Sequence, residues 1–304
     1  MTDGARKVAF IGLGAMGSRM AGVLLGAGHQ VAGYDRVAEA RAALAAKGGR
    51  AAESAADACA GADTLVLMVV NAGQAAMVLF EDDALDTLPE GALVISCVTM
   101  PSESAREIGR RVEATGRLYL DAPVSGGAAG AEKGTLTFMT AGSDAAFAEA
   151  APLLDAMGAN TFRLGTEPGP GSTMKMVHQL AAGCNLAVAA EVMSFGTHLG
   201  LDPELILKVL GVSAGNSWMI GDRGPRMLTE GRESKSSVDI FVKDLGIVLD
   251  AARAARFPVP VSAAALQIFL GASSAGFGAH DDSQATRFYE GLGGRRVRKP
   301  ANDR

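Results

Sequence analysis

The chain is poor in sulfur, in aromatic side chains and in positive charge, and each shortage removes a class of protein. Three cysteines (Cys59, Cys97 and Cys184) among 304 residues are too few and too scattered for a disulfide framework or a metal site. Each lies in an apolar segment, where a small buried thiol is the default, and no metal is expected. A net charge of −5 gives no reason to expect nucleic acid. The terminal RRVRK run is basic but reads as a solvated tail, and the chain after Gly291 as disordered. The opening MTDGARK lacks an apolar signal core, and runs such as TLVLMVV are too short to span a bilayer, so a cytoplasmic protein with no membrane partner is expected. Internal repeats and low-complexity tracts are also missing. What the chain has is 48% hydrophobic residues, abundant alanine and glycine, and length for a large core and two domains.

The N-terminal segment carries the first motif. KVAFI (Lys7 to Ile11) reads as a buried strand and runs straight into Gly12-Leu13-Gly14-Ala15-Met16-Gly17, a GxGxxG fingerprint. The first glycine permits the tight turn, the second lets a pyrophosphate reach the backbone, and the third lets helix and strand pack closely. Alone the motif is weak. Here a helix pattern from Ala15 to about Ala27, a stop at Gly28, a strand at Gln30 to Tyr34 and then Asp35 follow in the required order. A carboxylate at Asp35 accepts hydrogen bonds from a free ribose 2′-hydroxyl and repels a 2′-phosphate, which favours NAD over NADP; the adjacent Arg36 pulls the other way.

Along the first half, short apolar runs alternate with helical patterns, which builds a mostly parallel, doubly wound sheet with helices on both faces. Ligands bind such sheets at the carboxyl ends of the strands, so Asn71 and Thr99, each following a strand, are candidates to touch the nicotinamide half of the cofactor. Helix or turn capping is the competing account of both. A helix at Asp144 to Met157 and a strand near Asn160 to Leu164 precede GTEPGPG, the expected domain boundary. The expectation is therefore an α/β architecture: a Rossmann dinucleotide-binding domain over 1–168, then an all-helical substrate and oligomerisation domain over 169–304.

Two further segments carry chemistry. Asp121 to Met139, DAPVSGGAAGAEKGTLTFM, is glycine-dense, and Ser125, Gly126 and Gly127 offer a hydroxyl and unshielded N–H groups to a carboxylate or similar oxyanion. A tight turn into the next strand is the plainer reading. The helical run from Ser172 to Leu199 places Lys175, His178 and Gln179 at i, i+3 and i+4, on one face. A snorkelling lysine and a hydrogen-bonded core histidine are the plainer readings there.

Taken together, GLGAMGSRMAGVLLGAGHQVAGYDR, DAPVSGGAAGAEKGTLTFM, GPGSTMKMVHQL and FVKDLGIVLD resemble the β-hydroxyacid dehydrogenase family over nearly the whole chain. That family includes 3-hydroxyisobutyrate dehydrogenases, tartronate semialdehyde reductases and, more distantly, 6-phosphogluconate dehydrogenases. The resemblance implies that Ser125, Gly126 and Gly127 hold a substrate carboxylate and that Lys175 is the catalytic acid/base. It further implies that Lys243 approaches the cofactor, with Asp244 beside the substrate. Most members carry asparagine four residues after the catalytic lysine, whereas this chain has Gln179 preceded by His178. With AGNSWM and SSVDIF, the KMVHQL segment resembles the four-carbon sugar-acid branch, the L-threonate dehydrogenases, which implies a polyhydroxylated acid oxidised at C2 or C3, with C2 favoured. Trp218 either walls the pocket or packs in a helical core.

The chemistry expected is NAD-dependent oxidation of a hydroxyl, the proton leaving to a neutral Lys175 amine while Gln179 and His178 orient the substrate. Expected partners are a small hydroxy acid and further copies of the chain, as a homodimer or homotetramer through the helical domain. A 6-phosphogluconate dehydrogenase would need a much longer chain. A catalytically silent NAD-binding scaffold is the rival outside enzymes, and retention of Lys175 beside the carboxylate loop argues against it.

Overall fold

The structure, a computed structural model, describes residues 5–229 and 234–297. It resolves into two compact units, the first running to Met176 and the second starting at Val177.

The first unit is built on a nine-stranded sheet: β1 (Lys7–Ile11), β2 (Gln30–Tyr34), β3 (Arg50–Ala51), β4 (Thr64–Leu67), β5 (Leu93–Ser96), β6 (Leu118–Asp121), β7 (Val124–Ser125), β8 (Leu136–Gly142) and β9 (Gly158–Gly165). The order is β3-β2-β1-β4-β5-β6-β8-β7, with β9 also on β8. From β3 to β6 every pairing is parallel. The reversal of strand order beside β1 is the switch point at which such sheets bind ligands. β8 then runs antiparallel to β6 and β7 and parallel to β9. Pro123, which has no N–H for a ladder, separates β6 from β7.

Strand residues alternate between two apolar layers, as a sheet covered on both faces requires. Val8, Phe10, Val66, Ile95 and Leu120 join one layer. Ala9, Ile11, Leu67, Val94 and Tyr119 join the other. Cys59 and Cys97 are buried in these layers, and burial pushes both thiols up to about 12, which makes them poor nucleophiles near neutrality.

The second unit is helical. Its principal helices are the continuation of Pro170–His198, then Pro203–Gly211, Trp218–Met227, Val238–Ala255 and Pro260–Ala272. Their shared core includes Leu186, Met193, Ile220, Leu245 and Phe269, with the Phe241 and Phe269 rings stacked 5.0 Å apart. Gly183 is what lets two of these helices approach, because a Cβ there would meet Leu245 Cδ2 at 2.8 Å. Arg223 and Arg226, both buried, pair with Asp281 and Asp282 and tie helix Trp218–Met227 to the segment Asp282–Thr286. Helix Pro170–His198 and the segment Pro260–Phe277 are long and apolar enough to cross a bilayer by length and composition, a property that core helices share.

Three expectations need correction. The helix after the glycine motif starts at Gly17 rather than Ala15 and ends at Gly26. Trp218 does not pack in a helical core; it is 60% exposed, with the Arg223 guanidinium 5.5 Å from its ring. The stretch after Gly291 is not wholly a solvated tail, because Val297 is 5% exposed and belongs to the apolar core of the second unit. The rest of that stretch, from 298, lies outside the described residues.

Candidate active site

The GxGxxG turn follows β1 directly. Gly12 has φ +95°, and a Cβ there would lie 2.5 Å from the Met68 carbonyl oxygen. At Gly17 a Cβ would lie 1.8 Å from the Gly12 carbonyl oxygen. The middle residue differs, since around Gly14 nothing lies within 4 Å of a built Cβ. Gly12 and Gly17 are thus required by the protein's own packing, while Gly14 leaves an open approach to the main chain. Helix Gly17–Gly26 begins at Met16 without a side-chain cap and without an acid in its first turn, as suits a helix whose positive end faces phosphates. The Ala15 carbonyl accepts from Arg19 (2.6 Å). These residues fit a dinucleotide.

Asp35 follows β2 and turns back toward the loop. Its Oδ2 accepts the Leu13 N–H at 2.7 Å and its Oδ1 accepts the Val37 N–H at 2.9 Å. The carboxylate therefore shapes the glycine turn. Arg36 is exposed beside it. Asn71 caps helix Ala72–Phe80, accepting the Gln74 N–H at 2.9 Å, while Gln74 accepts the Val70 N–H. Thr99 lies half-buried in the loop after β5.

The loop after β6 is more ordered than a glycine-rich turn. Ser125 pairs with Thr137 in the β7–β8 ladder, Gly126 has φ +130° and Gly127 φ +60°, and a seven-residue helix, Gly127–Lys133, leads toward β8. A side chain rarely tolerates such φ values, so both glycines are there for backbone direction. Lys175 is only 7% exposed, and its Nζ donates to the Val124 carbonyl at 2.8 Å. An amine thus stands one residue from the loop serine.

In the second unit His178, Gln179, Asp244 and Lys243 form a chain of contacts. Gln179 Nε2 donates to Asp244 Oδ2, which leaves Gln179 Oε1 to accept from His178 Nδ1 at 2.9 Å. With Gln179 Oε1 as the acceptor, this contact assigns a proton to His178 Nδ1. Lys243 Nζ pairs with Asp244 Oδ1 at 2.7 Å, and Asp244 is 2% exposed. A cavity of about 550 Å³ lies elsewhere in this unit, against Val192, Phe195 and Tyr289, and none of the expected site residues lines it. Among the described residues no group of His, Cys, Asp and Glu could hold a metal ion.

Sequence reasoning passed over Asp121, Gly171 and Ser172. Asp121 is buried and accepts from Gly169 and Ser172, at the start of the helix that carries Lys175. Burial pushes its carboxyl up, and the hydrogen bonds from Ser172 and Gly169 oppose that by favouring the charged form. A signal was present: an acid at the carboxyl end of a strand, and a Gly/Pro cluster, GTEPGPG, that reads as a domain boundary and also opens the helix.

Comparison with known proteins covers nearly the whole chain. Residues 7–165 match the NAD binding domain of 6-phosphogluconate dehydrogenase, and residues 169–289 match the NAD-binding domain of NADP-dependent 3-hydroxyisobutyrate dehydrogenase. An L-threonate dehydrogenase of Cupriavidus necator is 44% identical over 289 residues, covering 95% of this chain and 97% of that protein. A 3-hydroxyisobutyrate dehydrogenase of Pseudomonas aeruginosa is 36% identical, covering 88% and 91%. The crystal structure of a 3-hydroxyisobutyrate dehydrogenase from Salmonella typhimurium has a TM-score of 0.88 at 42% identity, covering 92% of this chain and 98% of that one.

Proposed function

The chain belongs to the β-hydroxyacid dehydrogenase family as an NAD-dependent hydroxyacid dehydrogenase, and from that premise we propose that it oxidises a four-carbon sugar acid of the L-threonate type at C2. The product is the corresponding 2-oxo acid. Bound NAD supplies the acceptor for the hydride that leaves the carbinol carbon.

Everything else falls to this chain's residues. Ser125 and the Gly126 and Gly127 amides hold the substrate carboxylate, and Lys175 in its neutral form takes the hydroxyl proton. In the reverse direction the ammonium returns it. Gln179 and His178 orient the distal hydroxyls, and Asp244 and Lys243 hold the Gln179 amide in place. The observation that carries the reading is the 2.8 Å contact of Lys175 Nζ with the Val124 carbonyl, which ties a buried amine to the loop that would grip the carboxylate. L-Threonate dehydrogenases at 44% and 40% identity support the choice of a polyhydroxylated acid.

The likeness to a solved 3-hydroxyisobutyrate dehydrogenase favours a second reading, in which the substrate is a methyl-bearing acid with a primary alcohol. Incubation with NAD and a panel of L-threonate, D-threonate, erythronate, glycerate and 3-hydroxyisobutyrate decides between them. Highest kcat/KM on L-threonate supports the first reading, and preference for 3-hydroxyisobutyrate replaces it with the second.

A further inference from the structure

Asp121 ends β6 with 1% of its surface exposed. Its Oδ2 accepts the N–H groups of Gly169 (3.0 Å) and Ser172 (2.8 Å), and its Oδ1 accepts the Ser172 hydroxyl at 2.7 Å. All three donors come from the start of helix Pro170–His198. A negative group there is favoured by the free N–H groups and dipole of the helix, and a buried carboxylate needs such donors to be tolerated.

Gly171 completes the joint. A Cβ at that position would meet the Met139 carbonyl oxygen at 2.5 Å and the Asp121 carbonyl oxygen at 2.8 Å. Any side chain would therefore push the helix off the end of β6 and the middle of β8. One turn beyond Ser172 comes Lys175, whose Nζ returns to Val124, three residues past Asp121 on the strand side. Strand, carboxylate, helix start, lysine and loop thus form a closed circuit within the first unit.

We propose that Asp121 is a positioning residue for Lys175: its carboxylate fixes the start of helix Pro170–His198 against the end of β6 and so sets where the amine stands relative to the Ser125 loop. Ser172 and Gly171 are its partners in that task. A simple stabilising cap would cost fold energy when removed but would not couple to the lysine; a positioning residue must couple. The inference rests on Lys175 being the acid/base.

A double-mutant cycle on the full chain tests it, with kcat for L-threonate oxidation measured in the parent, Asp121→Asn, Lys175→Ala and the pair, and with Tm and NAD affinity followed alongside. Asp121→Asn is expected to lower kcat about 10–100-fold, the scale on which a displacement of order 1 Å acts, with NAD affinity unchanged. In the Lys175→Ala background the same substitution is expected to change kcat less than about twofold, since a misplaced group that is already gone cannot matter. Equal losses in both backgrounds, or no loss in the parent, overturn the proposal. Near-normal turnover of Lys175→Ala by itself overturns the acid/base reading and this inference with it. Where Asp121→Asn yields no folded protein, Ser172→Ala takes its place in the cycle, removing one hydrogen bond of the three for an expected loss of about tenfold or less.

Discussion

In the first unit the proposed ligand contacts are main chain, at the glycines 12, 14, 17, 126 and 127, whose backbone the fold leaves without side chains. In the second unit the residues proposed to meet the substrate belong to a chain of side-chain contacts running from His178 through Gln179 to Asp244 and Lys243. Main-chain recognition needs glycine at fixed local spacing, because only a missing Cβ allows the turn and the close approach. Side-chain recognition needs partners from distant parts of the sequence, brought together by helix packing. Gln179 and Asp244 are 65 residues apart and meet because Gly183 lets helix Val238–Ala255 come close. The first kind of site tolerates almost no change at its glycines, and the second is adjustable one side chain at a time.

Substitutions at two glycines of the same motif should break the first unit in different ways. Gly17→Ala drives a methyl into the Gly12 carbonyl and should abolish measurable NAD binding while lowering Tm. Gly14→Ala meets no protein atom, so Tm should stay at the parent value while NAD affinity falls by about tenfold or more, its methyl occupying the pyrophosphate approach. Titration of NAD with a parallel thermal melt separates the two, and equal behaviour of the variants would remove the distinction between packing glycine and ligand glycine.

Next in size is Ser125→Ala. Loss of one hydrogen bond to a charged group should cost about 1.5–3 kcal/mol in kcat/KM for the acid, with NAD affinity unchanged. An unaltered kcat/KM would return Ser125 to a purely structural place in the β7–β8 ladder. Gln179→Ala probes the second unit in the same terms. It leaves the buried Asp244 carboxylate short of a donor and should destabilise by about 1–3 kcal/mol, readable in denaturant melts, besides raising KM.

The expectations drawn from sequence divide along the same line. β1, β2 and helix Asp144–Met157 were legible to the residue, because their apolar period and flanking glycines are local signals. Asp35 was legible as the acid after β2, but its grip on the Leu13 N–H was not, since that depends on the turn folding back. GTEPGPG reads as a domain boundary because glycine and proline clusters usually mark one; its setting against Asp121 depends on a strand about fifty residues earlier. The contact of Gln179 with Asp244 was invisible for the same reason. Asn71 shows the opposite case: helix capping, one of its two readings, rests on residue type and local position alone, and the residue does cap helix Ala72–Phe80.

The smallest effect expected concerns cofactor choice. Asp35→Ala should narrow the preference for NAD over NADP by about tenfold or less, because a half-exposed charge pair near 4 Å contributes only about 1 kcal/mol in a solvent-like dielectric. It should also weaken binding of both dinucleotides, since Leu13 loses the acceptor that shapes the turn. Weaker NAD binding with NADP unaffected would mean that Asp35 reads the ribose and does not support the loop.

Turnover of Lys175→Arg beside Lys175→Ala tests the central claim most directly, with L-threonate and NAD saturating and NAD affinity measured separately. Arginine keeps the positive charge and the length but cannot give up its proton near neutrality. Both variants should bind NAD as the parent does and lose about 10²–10⁴-fold in kcat, with arginine no better than alanine. Near-parental turnover by Lys175→Arg would contradict the account, because Lys175 would then supply charge alone and the proton acceptor would have to be another group, with His178 the first to examine.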